Sequence, residues 1–384
     1  MPIVNSHHYS GIAMNKQNGL PQTVIEISTS AFNHNITYYK NLIGTHNTLA
    51  VVIKSNGYGH GLQQMAHLCQ QNNLVNWICV AQLSEALALN NITKPILILN
   101  YSDCAIENAV NKNIHFMVDN VEYAHKLNII GKKYNYQFNV HVKVDTGLSR
   151  LGVLPSNVLT FIQQLQQLDN ITINGIFSHF AASNDNPDFT NHQFMQFNDA
   201  LTLLDEHAIT IKHIHMSNSA AISTIKYPPQ FNFFRLGLGA YGLGTLASHL
   251  KPIMTWKTHI VSIKTIPSGS FVSYACTYTT TRTTRIALLP IGYADGYDFR
   301  FSNKTSVLIN GSYAPVIGRV AMNITIVDVT DIPAHVDDEV ILLGKYANIG
   351  VHDLASIAEI LNVREIFTGI NSALPRIITA IKTD

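Results

Sequence analysis

Several short apolar runs of this sequence end on residues able to do chemistry. Leu49-Ala-Val-Val-Ile53 stops at Lys54 and then turns through Ser55-Asn-Gly-Tyr-Gly-His-Gly61. A lysine directly behind such a run is partly desolvated, which lowers the pKa of its ammonium and favours the neutral amine that attacks an aldehyde. Taken alone, Lys54 reads better as a lysine snorkelling from a strand end. The run at 140–144 leads through Lys143-Val-Asp-Thr-Gly147 to Arg150, and the run at 175–178 stops before His179. A further run opens onto Asn218 and Ser219, and the run at 233–236 carries Arg235 ahead of Gly237-Leu238-Gly239. Lysine, arginine and histidine beside glycine-rich turns suit a phosphorylated cofactor. Backbone N–H groups around Asn218-Ser219 and Gly237-Leu238 would cradle its phosphate, with the Ser219 and Tyr58 hydroxyls as further donors.

These groups meet only if the runs are strands that end on one rim. Apolar runs at 49–53, 77–81, 96–99, 115–118, 140–144, 175–178, 213–216 and 233–236 alternate with segments of helical spacing such as 121–134, 156–167 and 191–206. Runs that are apolar nearly throughout fit strands buried on both faces of a parallel sheet. Eight such units in roughly 220 residues match a (β/α)8 TIM barrel, whose active sites sit where strands pass into βα loops. An open doubly wound sheet is the competitor, but its glycine-rich first turn is absent. Beyond Lys251 the texture turns to Thr, Val, Ile and Tyr with recurring Gly/Pro turns, which predicts a mostly β second domain with one helix near 351–361. The expected division is a polar tail over 1–22, an α/β barrel over 23–250 and a mostly β domain over 251–384.

Composition narrows the function. The net charge is +1 with no basic run, which argues against nucleic acid or acidic lipid as partner. No apolar stretch is long enough to span a membrane. The tail lacks a secretory pattern and reads as frayed. Cys69, Cys79, Cys104 and Cys276 are scattered, as expected of reduced thiols in a cytoplasm. Histidines are plentiful, yet no HExxH or CxxC spacing occurs, and no catalytic metal is expected.

Ala50-Val-Val-Ile-Lys-Ser-Asn-Gly-Tyr-Gly-His-Gly61 resembles the pyridoxal 5'-phosphate attachment motif of alanine racemases. So do Lys143-Val-Asp-Thr-Gly-Leu-Ser-Arg-Leu-Gly152, Ser273-Tyr-Ala-Cys-Thr-Tyr278, Ile291-Gly-Tyr-Ala-Asp-Gly296 and Gly318-Arg-Val-Ala-Met322. Dispersed motifs in the right order are far more specific than one. The resemblance implies a cytoplasmic isomerase that interconverts L- and D-alanine for peptidoglycan, as a homodimer with shared active sites. It implies that Lys54 binds pyridoxal phosphate covalently and serves as one acid/base group. Tyr274, reaching the partner subunit's site, is the implied second base. Racemisation removes a proton from one face of Cα and returns it on the other, which a lysine/tyrosine pair facing each other satisfies.

By the same resemblance, Tyr58, Ser219 and the Gly237-Leu238 backbone hold the phosphate. His179 and Arg235 form a hydrogen-bonded chain that assists the tyrosine, and Arg235 faces the cofactor's pyridine nitrogen. An arginine there keeps its proton, which limits delocalisation into the ring and side reactions such as transamination. Arg150 and the Met322 backbone N–H would bind the substrate carboxylate, with Arg150 also on the cofactor's phenolic oxygen. Lys143, as a carbamate, would fix Arg150; an unmodified strand-end lysine is the alternative. Tyr293 and Arg319 would line the substrate entrance. The chain departs from the family pattern at Asn323, Ser372 and Asn184, positions usually aspartate, tyrosine and an acidic residue respectively. Those departures leave room for a racemase preferring serine or of broader specificity. A pyridoxal-phosphate decarboxylase and a non-catalytic single-barrel protein are the other readings, and the Tyr274 motif and the second domain count against them.

Overall fold

The computed structural model describes residues 23–244 and 246–379. The tail at 1–22, read as frayed, lies outside the described residues. The described residues divide into two compact units: one lies within residues 31–57 and 65–251, the other within residues 23–30, 58–64 and 252–379.

The first unit is the expected barrel. Its strands are β1 (Thr48–Val52), β2 (Trp77–Val80), β3 (Ile96–Ile98), β4 (Ile114–Val118), β5 (Phe138–Lys143), β6 (Ile171–Phe177), β7 (His213–His215) and β8 (Phe233–Leu236). They are parallel in the order β7-β6-β5-β4-β3-β2-β1-β8, so β1 pairs with β8 across the chain ends of the sheet. Between β7 and β8 side chains bridge the seam: Ile214 N–H donates to Asn232 Oδ1 at 3.2 Å and Arg235 N–H to Ser217 Oγ at 3.1 Å. Strands buried along their whole length, such as Ile114–Val118, explain why the runs lack alternation.

The helices start where side chains can cap them. Asn120 accepts from Tyr123 N–H at the head of helix Val121–Tyr134, and Asn186 accepts from Phe189 N–H at the head of Pro187–Glu206. Pro187 sits in the first turn, where its missing N–H costs nothing. Asn135 closes the earlier helix in a left-handed conformation.

The second unit is mostly β, with short helices at Val351–Ile357 and Arg364–Gly369. Its largest sheet has six strands in the order Ser312–Pro315, Ser306–Ile309, Glu339–Leu343, Met254–His259, Val24–Ser28, Arg376–Thr379. Val24–Ser28 is antiparallel to Met254–His259 and parallel to Arg376–Thr379. Three strands, Ser262–Ile266, Thr284–Leu289 and Thr325–Asp328, form a second sheet, and Phe271–Val272 with Tyr278–Thr279 a small hairpin. Trp256, Tyr297 and Phe301 are fully buried, with the Tyr297 ring 6.0 Å from Trp256 and 5.0 Å from Phe301. Among the described residues no helix is long and apolar enough to cross a membrane, and no group of His, Cys, Asp and Glu is arranged to hold a metal.

Candidate active site

Lys54 leaves β1 at the C-terminal end of the barrel, behind the fully buried Ile53, and is itself half-buried. The turn after it winds left-handed: φ is 55° at Ser55, 53° at Asn56, 59° at Gly57 and 51° at Tyr58. Such a conformation costs each non-glycine residue about 1–2 kcal/mol. Strain of this kind persists only where the surroundings impose it. Here Glu85 helps to impose it, accepting Ser55 N–H at 2.6 Å with one carboxylate oxygen and Ala81 N–H at 2.7 Å with the other.

The other predicted barrel residues come from strand ends on the same rim. Lys143 ends β5, is 3% exposed and lies 5.5 Å above the Phe177 ring. Burial, reinforced by the nearby Arg150 and Arg235 charges, pushes its ammonium down to about 8. Arg150 is exposed on a loop shaped by Asp145, whose carboxylate accepts the N–H groups of Gly147 and Ser149, each at 3.0 Å. His179 follows β6 and is half-buried.

Arg235, on β8, is 3% exposed and joins several of these ends. Its Nη2 donates to Ser178 O at 2.7 Å, His179 Nδ1 at 3.2 Å and Met216 O at 3.4 Å; its Nη1 donates to His215 Nδ1. None of these partners is a carboxylate. Because arginine only donates, both histidines accept at Nδ1 and carry their proton at Nε2. His215 then donates onward to His141 Nδ1 at 2.9 Å. Burial, followed by the arginine charge, holds His179 and His215 well below the usual histidine range, so both are neutral. Burial also brings Arg235 down to about 10, which leaves it charged at neutral pH.

Where β7 and β8 end, Ser219 Oγ accepts from Gly237 N–H at 3.0 Å and Gly239 N–H at 3.1 Å. Two backbone donors and a hydroxyl thus converge on one point. Gly239 is required for this: a Cβ there would stand 2.4 Å from the Tyr39 ring, which is itself buried. Asn218 shapes the adjoining turn, accepting the N–H groups of Ala220 and Ala221. Leu238, half-buried, opens the short helix between the glycines.

The remaining predicted residues lie in the β-rich unit. Tyr58 ends the left-handed turn and belongs to this unit. Tyr274 sits in the loop of the small hairpin and is 71% exposed. Ser273, Ala275 and Cys276 around it all have positive φ, and Ser273 Oγ ties the loop to Arg319 O at 2.6 Å. Tyr293 and Met322 are exposed, and their loops are joined by Tyr293 N–H to Ala321 O and Ala294 N–H to Met322 O, both 3.0 Å. Arg319 lies 5.7 Å over the Phe299 ring, which packs edge-on against Tyr293. The sequence reading missed His215 and His141, the support behind Arg235. Their signal was weak: histidines within barrel strands, at positions that read as ordinary core.

Comparison with known proteins bears on what this site does. The family model for the alanine racemase N-terminal domain matches residues 27–245, and that for the C-terminal domain residues 253–378. "Alanine racemase 2" of Caldanaerobacter subterraneus subsp. tengcongensis is 35% identical over 370 residues, covering 92% of this chain and 94% of that protein. The alanine racemase of Methanococcus maripaludis is 38% identical over 334 residues, 83% of this chain and 88% of its own. Among solved structures, alanine racemase of Clostridium difficile 630 superposes with a TM-score of 0.87 at 33% identity, covering 93% of this chain and 96% of that one. The Bacillus anthracis alanine racemase with bound L-Ala-P gives 0.82 at 26% identity, covering 94% and 95%. With both halves of the fold and nearly the full length of these relatives matched, the chain belongs to the alanine racemase family.

Proposed function

We propose that this chain is an alanine racemase that interconverts L-alanine and D-alanine with pyridoxal 5'-phosphate. The observation that carries the reading is Arg235: a buried, charged guanidinium on the barrel rim, partnered by neutral histidines and backbone carbonyls. The residues present fit that cofactor. The Ser219 hydroxyl and the Gly237 and Gly239 amides that donate to it lie together, where an anion could take over those donors, in a turn that has no room for a side chain at Gly239.

Lys54, Tyr58, His179, Asn218, Ser219, Arg235, Gly237 and Leu238 would hold it. When bound, the cofactor supplies an electron-withdrawing system that makes the Cα–H of an attached amino acid acidic. Lys54 Nζ takes or returns the Cα proton on one face, and Tyr274 Oη does so on the other. Arg235 keeps its own proton, and neutral His179 accepts from it while retaining a donor at Nε2. Arg150 and Met322 bind the substrate carboxylate, and Tyr293 and Arg319 line the entrance. Lys143, with its ammonium brought down to about 8, is set up to take carbon dioxide as a carbamate and brace Arg150.

We further propose a homodimer that shares its active sites. On the β-rich unit Phe271, Tyr274, Tyr293, Phe299 and Met322 are all exposed, which supports a second copy covering them. The proposed setting is the cytoplasm, with D-alanine supplied to peptidoglycan, a reading that four free cysteines support. The test is a racemisation assay over a panel of L-amino acids with added cofactor, on wild type and Lys54→Ala. Alanine should be racemised fastest. The variant should lose activity together with the long-wavelength absorbance of bound cofactor; activity retained without Lys54 would sink the reading.

A further inference from the structure

Among the described residues, Arg376 is a buried cation that the mechanism above does not use. Arg376 opens the last strand of the β-rich unit and is 8% exposed. Its Nε donates to Gly59 O at 2.9 Å. Its Nη1 donates to Asn371 O at 3.0 Å, Ser372 O at 3.2 Å and Leu374 O at 2.7 Å, and its Nη2 to Ile370 O at 3.4 Å. Every one of these acceptors is a backbone carbonyl. A fixed guanidinium fork satisfying five carbonyls sets the path of both segments it touches.

On one side stands the turn that begins at Tyr58. Gly59 has φ +83°, and a Cβ there would lie 1.9 Å from Phe367 O. Gly61 has φ +103°, with its Cβ position 3.1 Å from Arg376 Cδ. Gln64 Nε2 donates to Arg376 O at 3.0 Å, and the His60 ring packs 4.9 Å from Phe367. The turn is therefore pressed against the 367–376 segment along its length. On the other side, Asn371 N–H donates to Asp295 O at 3.0 Å and Asn371 Nδ2 to Ala294 O at 3.2 Å. A Cβ on Gly296 would lie 2.4 Å from Gly369 O, and one on Gly292 2.4 Å from Met322 O. Contacts this close transmit a displacement instead of absorbing it.

We propose that Arg376 is a positioning residue for the reaction: a buried clasp that fixes the turn of Tyr58 and, through the 370–374 segment, the turns of Tyr293 and Met322. Cofactor affinity and substrate affinity are thereby set by one side chain that touches neither ligand. The proposal rests on the functional reading given above.

The test compares Arg376→Lys and Arg376→Ala with wild type. The readouts are pyridoxal phosphate titration of the cofactor-stripped protein, KM and kcat for L-alanine, and thermal unfolding. Arg376→Lys keeps the charge but cannot span both segments. It should stay folded and raise both the cofactor dissociation constant and KM about tenfold, with kcat within about threefold. Arg376→Ala should move both constants further in the same direction; if it fails to fold, Arg376→Lys decides. A folded Arg376→Lys with both constants within about twofold of wild type overturns the proposal, as does a collapse in kcat with neither constant moved. A wild type that binds no cofactor would instead overturn the functional reading on which the clasp depends.

Discussion

Lys143 is a barrel residue whose chemistry depends on its surroundings. It is buried at a strand end, over an aromatic ring and near two arginines. Burial and those charges bring its ammonium from 10.5 to about 8, so the neutral amine grows from a small fraction at pH 7 to the main form above pH 8. Only the neutral amine adds carbon dioxide, and the carbamate so formed is an anion beside two cations. Intact-mass measurement of protein held in bicarbonate should therefore find a mass gain of one carbon dioxide, greater at pH 8.5 than at pH 6.5 and absent from Lys143→Met. An equal gain in that variant would place the modification elsewhere. Lysine at a strand end was legible in the sequence, because an apolar run stopping at a charge has few other meanings. What lowers its pKa was not legible. Arg235 is remote from it in sequence, and only the closed barrel buries the amine and adds that charge to the one from nearby Arg150.

At the scale of elements, the eight strands were readable because each is a short β-branched or aromatic run between helical segments. Their ends were misplaced by only a few residues, as at β6, which begins at Ile171 where the apolar pattern suggested 175. The left-handed turn after Lys54 was hidden, since Ser55 and Tyr58 carry no marker of positive φ and Asn56 only a weak one beside glycine. The barrel filling was hidden as well. His115, His141 and His213, from three different strands, surround Trp77 with ring centroids 4.4, 5.6 and 5.4 Å from it. His115 Nδ1, His141 Nε2 and His213 Nδ1 are buried without a hydrogen-bond partner. Burial, then His213 and Lys212, brings His115 to about 3, and burial with Lys212 brings His213 to about 4. An unfolded histidine titrates near 6.5, so between about pH 6.5 and pH 4 the unfolded chain binds protons that the folded barrel refuses. Stability is thus full above pH 6.5 and falls as the pH drops through that window. His115→Leu removes one such site at similar volume, and its thermal unfolding temperature should fall less than that of wild type between pH 6.5 and pH 4.5. Parallel curves for the two proteins would mean that the acid sensitivity comes from other groups.

At the scale of the whole molecule, the question is why Tyr274 stands so exposed. It is held in a loop with three left-handed non-glycine residues and tied down at Ser273, yet its own side chain is 71% exposed. A loop strained to present a side chain outward has a purpose when a second molecule receives that side chain. If each active site takes Lys54 from one subunit and Tyr274 from the other, inactive subunits must complement one another. A Lys54→Ala subunit paired with a Tyr274→Phe subunit makes one site with both lesions and one with neither. Random reassortment of equal amounts gives mixed dimers as half the population, each with one intact site, so activity should recover to about a quarter of wild type. The measurement is racemase activity before and after reassortment, with mixed dimers verified by separable tags. Absence of recovery in verified mixed dimers would mean that Lys54 and Tyr274 act within one chain, or not together at all. Recovery well above a quarter would mean that mixed dimers exceed half of the population or that their intact site turns over faster than a wild-type site. The prediction therefore separates a shared site from a self-contained one by activity alone, independently of how Arg376 or Lys143 behaves.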